Sequence, residues 1–228
     1  MHLRLSGFLP LFLAAGLAWG GPPERVRITY DTSYNGLVVA EIVEVLDHDD
    51  RTYSIVSEVR GRGILALAGM IKRSSRGRIT AQGLRPDEYR DQRGDRWAVT
   101  AKFDWNARSI TQDKNGASET LAMPGTAQDP LSLAYSFAFF PPTGKEFEVT
   151  RADGRGLSPF RFLVVGPEKL STPAGELQTL RISKVRDGPE DKATDIWFAT
   201  ERNYLPVRIL IVDKDGTRAD QVATRIGN

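Results

Sequence analysis

The sequence of 228 residues contains no cysteine. Disulfide bonds, thiolate nucleophiles, cysteine-ligated zinc and a lipid attached to an N-terminal cysteine are therefore excluded. Histidine is almost as scarce, because His48 is the only one beyond residue 20 and lies in the acidic run 47–50. A Ser-His-Asp site needs a histidine held between its two partners, and a metal site needs ligands that converge on one ion. We therefore predict no catalytic residue, no bound metal and no cofactor.

Motifs that carry enzymatic chemistry are also missing. The sequence has no Gly-x-Ser-x-Gly elbow, no His-Glu-x-x-His pair, no phosphate-binding loop and no dinucleotide fingerprint. A glycoside hydrolase needs only two carboxylates, and several acids are available, but nothing singles out a pair among Asp104, Asp129, Glu176 and Asp195. We predict that the protein is not an enzyme and keep an acid-dependent polysaccharide or peptidoglycan hydrolase as the remote alternative.

Long apolar runs are absent except at the start of the chain. Arg4 supplies a positive charge, residues 5–18 are almost entirely apolar or small, and Ala18 and Gly20 are the small residues that a signal peptidase prefers. The run is short for a membrane span, which needs roughly 20 apolar residues. We predict a signal peptide at 1–20, cleaved after Gly20, and a single β-rich domain at 21–228 that is soluble in the periplasm.

Alternation of apolar and polar residues dominates the rest of the chain. Residues 97–105 are the clearest case, with Trp97, Val99, Phe103 and Trp105 on one side of an extended segment. Asn-Gly pairs at 35–36 and 115–116 are typical of tight hairpin turns. The pattern predicts a mainly β fold, a strongly curved antiparallel meander that forms an open or partly closed barrel.

One segment, at about 129–140, breaks this rhythm. Asp129 can accept hydrogen bonds from the free amides of a first helical turn, and Pro130 suits the first helical position. Pro141 and Pro142 end the helix, because proline cannot continue it. Apolar side chains surround most of the predicted helix, so it must be covered. We expect it to pack in or over the concave face of the sheet.

Aromatic and aliphatic side chains of this helix and of the 97–105 strand could meet. They either fill a core or line an apolar groove that takes an acyl chain or a hydrophobic peptide. The candidate groove residues are Trp97, Val99, Phe103, Trp105, Leu133, Tyr135, Phe137 and Phe139.

Positive charge is concentrated in one part of the chain. Residues 60–96 include ten basic and four acidic side chains, a net charge of +6. Such a band either faces anionic headgroups of a membrane surface or is a solvated strand face with interleaved acids. No nucleic-acid-binding motif accompanies it, so we predict no nucleic-acid partner. The candidate basic surface consists of Arg60, Arg62, Lys72, Arg73, Arg76 and Arg78.

Several ordered segments together resemble the exported bacterial family catalogued as domain of unknown function 3108. They are residues 28–36, 103–105, 128–133, 171–180 (STPAGELQTL), 197–199 and 203–209. The resemblance covers nearly the whole chain after residue 20. It implies a largely β, exported protein without an established activity, and no catalytic residue to carry over. The family's shape resembles the open, curved sheets of periplasmic lipoprotein carriers, which is a likeness of fold and does not settle function.

Two functions stay open at this point. The first is a non-enzymatic periplasmic protein that binds a lipid or acyl chain, or an envelope partner. The second is a purely structural or interaction module of the cell envelope with a filled core. The sequence does not determine the oligomeric state.

Overall fold

The computed structural model describes residues 21–96 and 98–227, so the predicted signal peptide at 1–20 and Trp97 lie outside the described residues. Fifteen strands and one α-helix form the described chain, together with two short 3-10 helices at Gly63–Ala68 and Thr200–Arg202. The elements are β1 Arg25–Tyr34, β2 Leu37–His48, β3 Thr52–Gly61, β4 Ile71–Thr80, β5 Gly83–Arg93, β6 Val99–Asp104, β7 Ser109–Lys114, β8 Ala117–Ala122, β9 Ala127–Gln128, α1 Pro130–Phe139, β10 Glu146–Ala152, β11 Leu157–Thr172, β12 Gly175–Lys184, β13 Ala193–Ala199, β14 Leu205–Val212 and β15 Arg218–Gly227.

All fifteen strands belong to one sheet, in the order β8-β7-β6-β5-β4-β3-β2-β1-β15-β14-β13-β12-β11-β10-β9. Neighbours are antiparallel except for the short parallel contact between β9 and β10. The first and last long strands pair with each other, β1 against β15 from Arg27↔Gly227 to Tyr34↔Ala219. This ladder joins two meanders into one sheet: the first meander consists of β1–β8 and the second of β9–β15. Its outer edges, β8 and β9, are not paired with each other, so the sheet does not close into a barrel.

Tight turns connect the strands as the sequence predicts. Asn35 and Gly36 have φ values of 49° and 86°, and Asn115 and Gly116 have 54° and 80°. Two consecutive positive φ angles define the hairpin turn that matches the twist of the flanking strands. The prediction of an antiparallel meander is thereby confirmed.

The α-helix lies inside the curve of the sheet. It packs against β4 and β5 of the first meander and against β10 and β14 of the second. Seven of its ten residues are buried. A helix that is apolar on nearly every side is stable only when it is covered all round, and the two meanders cover it. The predicted fold class, a curved antiparallel meander with one apolar helix on the concave face, is confirmed. No helix within 21–96 and 98–227 is long and apolar enough to cross a membrane.

The helix divides the apolar interior into two clusters. Leu131, Ala134, Tyr135 and Ala138 recur at helical spacing and face the larger cluster, built mainly on β1–β7. Leu133 and Phe137 face the smaller cluster, which is completed by side chains from the second meander. The smaller cluster contains Leu133, Phe137, Val149, Phe162, Ile182, Ile196 and Phe198.

Candidate functional site

A cavity of about 440 Å³ lies beside the C-terminal half of α1. The turn between β4 and β5, strand β9 and strand β10 form its other walls. Ligand pockets usually have volumes of about 300–1,000 Å³, so this space is large enough for a small apolar guest. Its apolar lining includes Leu84, Trp105, Leu133, Phe137, Phe140 and Val149. We call this space the helix-side cavity.

Two aromatic side chains are firmly placed in its wall. The indole Nε1 of Trp105 donates a hydrogen bond of 2.6 Å to the carbonyl of Pro86, and the Arg85 guanidinium lies 4.4 Å from the indole ring centroid. The ring of Phe137 packs edge-on against Phe198, with centroids 4.8 Å apart. These contacts hold both rings in fixed orientations.

Polar atoms in the wall could orient a guest. The Nε of Arg85 and the Oε1 of Gln128 are both buried, and neither has a hydrogen-bond partner among the described residues. The amide nitrogen of Gln128 donates to the carbonyl of Leu84 at 2.7 Å, which fixes that side chain. A buried polar atom without a partner costs free energy, about 1–3 kcal/mol per group.

Behind the cavity, the helix N-terminus is held by a buried carboxylate. Asp129 is the N-cap of α1, with one oxygen accepting from the amides of Leu131 and Ser132 at 2.8 and 3.0 Å. Its other oxygen accepts from the hydroxyl of Ser75 at 2.6 Å. Pro130 occupies the first helical position. Burial raises the pKa of Asp129 from 3.8 to about 6, although these hydrogen bonds oppose the shift.

A second buried carboxylate contacts the middle of the helix. Glu44, on β2, accepts from the hydroxyl of Tyr135 at 2.9 Å and from that of Ser57 at 3.0 Å. Burial raises the pKa of Glu44 above its ordinary value, and the hydrogen bonds from Tyr135 and Ser57 only partly offset that rise. Neither Asp129 nor Glu44 lines the helix-side cavity. Both side chains are buried, and their hydrogen bonds anchor the helix.

The predicted groove residues do not form one groove: some line the helix-side cavity, and others lie in the larger cluster or beside a separate depression. Val99 and Phe103 are buried in β6, while Tyr135 is buried in the larger cluster. Phe139 packs edge-on against His48 at 4.9 Å, next to a separate surface depression. Trp97 lies outside the described residues. The structure thus brings Trp105, Leu133 and Phe137 together in one cavity wall, and their binding of a ligand stays a prediction.

Acidic side chains accompany every member of the predicted basic surface. The ion pairs are Arg60–Glu58 at 3.4 Å, Arg62–Asp31 at 2.7 Å, Lys72–Glu58 at 3.7 Å, Arg73–Asp91 at 3.8 Å, Arg76–Glu88 at 2.5 Å and Arg78–Asp87 at 3.3 Å. Most of these groups are exposed, and exposed pairs contribute little stability, about 0–1 kcal/mol. The pairing lowers the local excess of positive charge, and contact of this surface with a membrane stays a prediction.

Asp91 is the exception among these pairs because its side chain is only 1% exposed. Arg93 and Arg155 donate to its Oδ2 at 3.0 and 2.7 Å. Burial opposes ionisation of Asp91, but these hydrogen bonds and the charge of Arg73 outweigh it, and its pKa lies below the ordinary value. Arg155 precedes β11 and Asp91 belongs to β5, so the cluster joins the two meanders electrostatically.

The remaining polar candidates have structural contacts. The imidazole of His48 lies 3.0 Å from the carbonyl oxygens of Pro22 and Pro23. Asp104 accepts from two backbone amides of its own turn, and Asp195 pairs with Arg181 at 2.9 Å. Within 21–96 and 98–227, no group of three or more His, Asp or Glu side chains is placed to hold a metal ion.

Most residues of the cavity wall are absent from the predicted groove set, among them Arg85, Gln128 and Phe147. The first two stand next to predicted features, since Gln128 precedes the helix cap and Arg85 is part of the basic band. No pattern in the sequence distinguishes them, because their role depends on which strands face each other across the helix.

Comparison with known proteins assigns a family. The model of the family described as "Protein of unknown function (DUF3108)" matches residues 29–222. No curated protein matches the chain. Among solved structures, a β-barrel-like protein of Brucella abortus with domain of unknown function DUF1849 is similar, at 11% identity over 91% of this chain and 98% of that one, with a TM-score of 0.55. That likeness shows a shared fold.

Two further solved structures are similar over most of their length. A proposed exported protein of Bacteroides fragilis with a YmcC-like fold is 11% identical over 89% of this chain and 95% of that one, with a TM-score of 0.39. A proposed lipoprotein of Parabacteroides distasonis is 9% identical over 92% and 98%, with a TM-score of 0.40. Both likenesses are too weak to carry an argument. The family model spans most of the sequence, and the chain belongs to the DUF3108 family of proteins of unknown function.

Proposed function

We propose that the protein is a non-enzymatic periplasmic protein that binds an apolar chain in the helix-side cavity. The observation that carries this proposal is the cavity of about 440 Å³ between α1 and the sheet. Trp105, Leu133 and Phe137 turn apolar surface toward this space. An acyl chain placed there would remove that surface from water, which is favourable by roughly 25 cal/mol per Å².

The polar wall favours an amphipathic ligand with an anionic head. The guanidinium side chain of Arg85 lines the cavity and supplies a planar set of N–H donors beside its apolar surface. A carboxylate or phosphate could accept from the guanidinium of Arg85. A fatty acid or a lysophospholipid has this combination of an apolar chain and a polar head.

Ser136 provides a direct test of the site. It lies in the cavity wall on the helix face shared with Leu133 and Phe140 and is only partly buried. Ser136→Phe would put an aromatic ring into the space without removing any apolar core residue. Titration with a fluorescent long-chain fatty acid should show saturable binding by the native protein. The affinity of Ser136→Phe should be at least about tenfold lower, a loss of 1.4 kcal/mol or more.

Ser109→Phe is the matched control, since Ser109 is also partly buried but belongs to β7 outside the cavity. Its affinity should equal that of the native protein. Equal binding by Ser136→Phe and Ser109→Phe would contradict the proposal, as would an absence of saturable binding by the native protein.

Arg85→Gln tests the expected head group separately. Loss of a charge-assisted hydrogen bond, about 1.5–3 kcal/mol, should weaken binding of a fatty acid at least about tenfold. Binding of the fatty alcohol of the same chain length should change little, because it has no charge for Arg85 to recognise. Isothermal titration with both ligands measures the difference. If Arg85→Gln weakened binding of the fatty acid and of the fatty alcohol equally, Arg85 would act by packing against Trp105 and not by recognising the charged head group.

The alternative is an envelope interaction module with a filled core. The observation in its favour is that seven of the ten helix residues are buried. Under this alternative Ser136→Phe would change stability without changing any ligand affinity, and the native protein would bind neither acid nor alcohol.

A further inference from the structure

Exposed apolar side chains are concentrated at one end of the sheet. Ile64 and Leu67, in the 3-10 helix between β3 and β4, are 82% and 86% exposed, and Leu37 at the start of β2 is 72% exposed. Leu65 and Met70 in the same connection are also exposed. Single exposed apolar residues are ordinary, but a contiguous group at a protruding end is typical of an interaction site. We call Leu37, Ile64, Leu65, Leu67 and Met70 the apolar tip.

Backbone geometry makes the tip project. Gly63 and Gly69, at either end of the segment, have φ values of 59° and 79°, which a side chain at these positions would disfavour. The amide of Arg62 donates to the carbonyl of Val39 at 2.7 Å, so the segment is fastened beside the beginning of β2. The carbonyl of Leu65 packs over Gly61 at the end of β3. The side chains of Ile64 and Leu67 nevertheless remain exposed to solvent.

Positive charge borders the tip on both sides. Residues 60–73 contain Arg60, Arg62, Lys72 and Arg73 and no acidic residue. The first three side chains are 64%, 47% and 52% exposed, although Glu58, Asp31 and Glu41 on β3, β1 and β2 lie within ion-pair distance of them. An apolar centre between two pairs of long basic side chains matches the chemistry of a bilayer interface, where apolar groups enter the acyl boundary and Lys or Arg reach the headgroups.

We propose that the apolar tip inserts into the surface of a membrane that contains anionic phospholipid. The cationic flanks select this occupant, because exposed Lys and Arg side chains are attracted to the headgroups of an anionic leaflet. The proposal is independent of the helix-side cavity. The cavity opens at the β4–β5 turn and the tip lies at the other end of β4, so the ten residues of that strand separate them by roughly 30 Å.

Vesicle binding tests the proposal. The protein as purified from expressing cells should sediment with vesicles of phosphatidylethanolamine and phosphatidylglycerol, less so at high salt, and weakly with phosphatidylcholine alone. The double variant Ile64→Ser/Leu67→Ser should bind at least about tenfold more weakly, since two apolar side chains lose their burial in lipid. Both positions are exposed, so the variant should keep the native unfolding midpoint.

The matched control is Leu163→Ser/Val165→Ser, which removes two exposed apolar side chains of β11. It should bind vesicles like the native protein. Equal loss in both double variants, or equal vesicle binding by the native protein and the tip variant, would overturn the proposal. So would a native dimer that the tip variant converts to a monomer without any change in vesicle binding, because the tip would then contact a second copy.

The absence of cysteine allows a direct measurement of insertion. Leu67→Cys creates a unique labelling site for an environment-sensitive nitrobenzoxadiazole dye. Its fluorescence should rise and shift to the blue with anionic vesicles, and brominated lipids should quench it. The same dye at Val165→Cys should not respond. A tip label that stays in an aqueous environment while the protein sediments with vesicles would contradict insertion.

Discussion

Asp129→Ala is expected to lower the free energy of unfolding by about 2 kcal/mol or more at pH 7. The change removes the acceptor for two amides of the first helical turn, and loss of an N-cap costs about 0.5–2 kcal/mol. It also removes the carboxylate that accepts from the buried hydroxyl of Ser75, which keeps only its contact with the hydroxyl of Tyr53 at 3.1 Å. Loss of a hydrogen bond to a charged group costs about 1.5–3 kcal/mol. Urea denaturation of both proteins measures the difference.

Asp129→Asn keeps the N-cap acceptor and removes the negative charge, so it distinguishes the effect of capping from that of the charge. Asparagine is an equally good N-cap, and its amide nitrogen can donate to Ser75, so stability at pH 7 should stay within about 1 kcal/mol of the native value. A loss as large as that of Asp129→Ala would mean that the ionised carboxylate itself is required.

Asp129 should make the free energy of unfolding fall as pH rises, which is opposite to the effect of a carboxylate whose pKa is lowered by folding. Its folded-state pKa of about 6 exceeds the ordinary value of 3.8, so the folded protein binds more protons than the unfolded chain between these values. The contribution of Asp129 to the free energy of unfolding is therefore complete below about pH 4 and is lost as the pH rises through about 6. At about 1.4 kcal/mol per pKa unit, the contribution approaches 3 kcal/mol.

Comparison with Asp129→Asn isolates this contribution. Other carboxylates, such as Asp91 with its lowered pKa, give the opposite slope in both proteins. The stability of the native protein relative to Asp129→Asn should therefore fall between pH 4 and pH 6. Parallel stability profiles across this range would show that Asp129 titrates at an ordinary pKa.

Phe137→Ala should be the most destabilising single change in the helix-side cavity, at about 3–5 kcal/mol. Phe137 contacts Phe198 and Phe147 edge-on, at centroid distances of 4.8 and 5.2 Å, and connects α1 to the second meander. Its removal would leave a cavity in the smaller cluster, because the strands around it are fixed by their ladders. Guanidinium denaturation should show a lower midpoint with an unchanged slope.

Phe139→Ala provides the comparison within the same helix. Phe139 is only partly buried and packs at the edge of the larger cluster, against His48. Its truncation should cost less than half as much as that of Phe137. Equal costs at the two positions would contradict the division of the helix into two faces.

Local chemistry made the turns and the helix predictable. Asn-Gly pairs adopt the positive φ angles that a tight hairpin needs, whatever the rest of the fold is. Asp129 and Pro130 start a helix for reasons contained in the first turn itself. These features depend on a few adjacent residues, and the structure shows them where the sequence predicts them.

The buried carboxylate of Glu44 was not predictable in the same way. Strand β2 has apolar residues on both faces, with Ile42 and Leu46 inward and Val43 and Val45 outward, so its pattern does not reveal which face is buried. Glu44 is inward only because the sheet curves toward α1 and presents the hydroxyl of Tyr135. Its role depends on a contact between residues 91 positions apart.

The cavity likewise depends on long-range pairing. Trp105 belongs to the first meander and Phe147 to the second, and they face the same space because β1 pairs with β15 and the sheet then wraps around α1. Alternation within a strand indicates which side chains share a face. It does not indicate which distant strand that face meets, so the sequence left a filled core and an open groove as equal alternatives.

Native mass spectrometry of the protein purified from expressing cells tests the central claim most directly. If the helix-side cavity binds an amphipathic chain, the native protein should carry an additional mass that organic solvent extracts as a lipid or fatty acid. Ser136→Phe, folded to the same extent, should carry none. A native protein at its bare polypeptide mass that also fails to retain added fatty acid would contradict the claim and favour the filled interaction module.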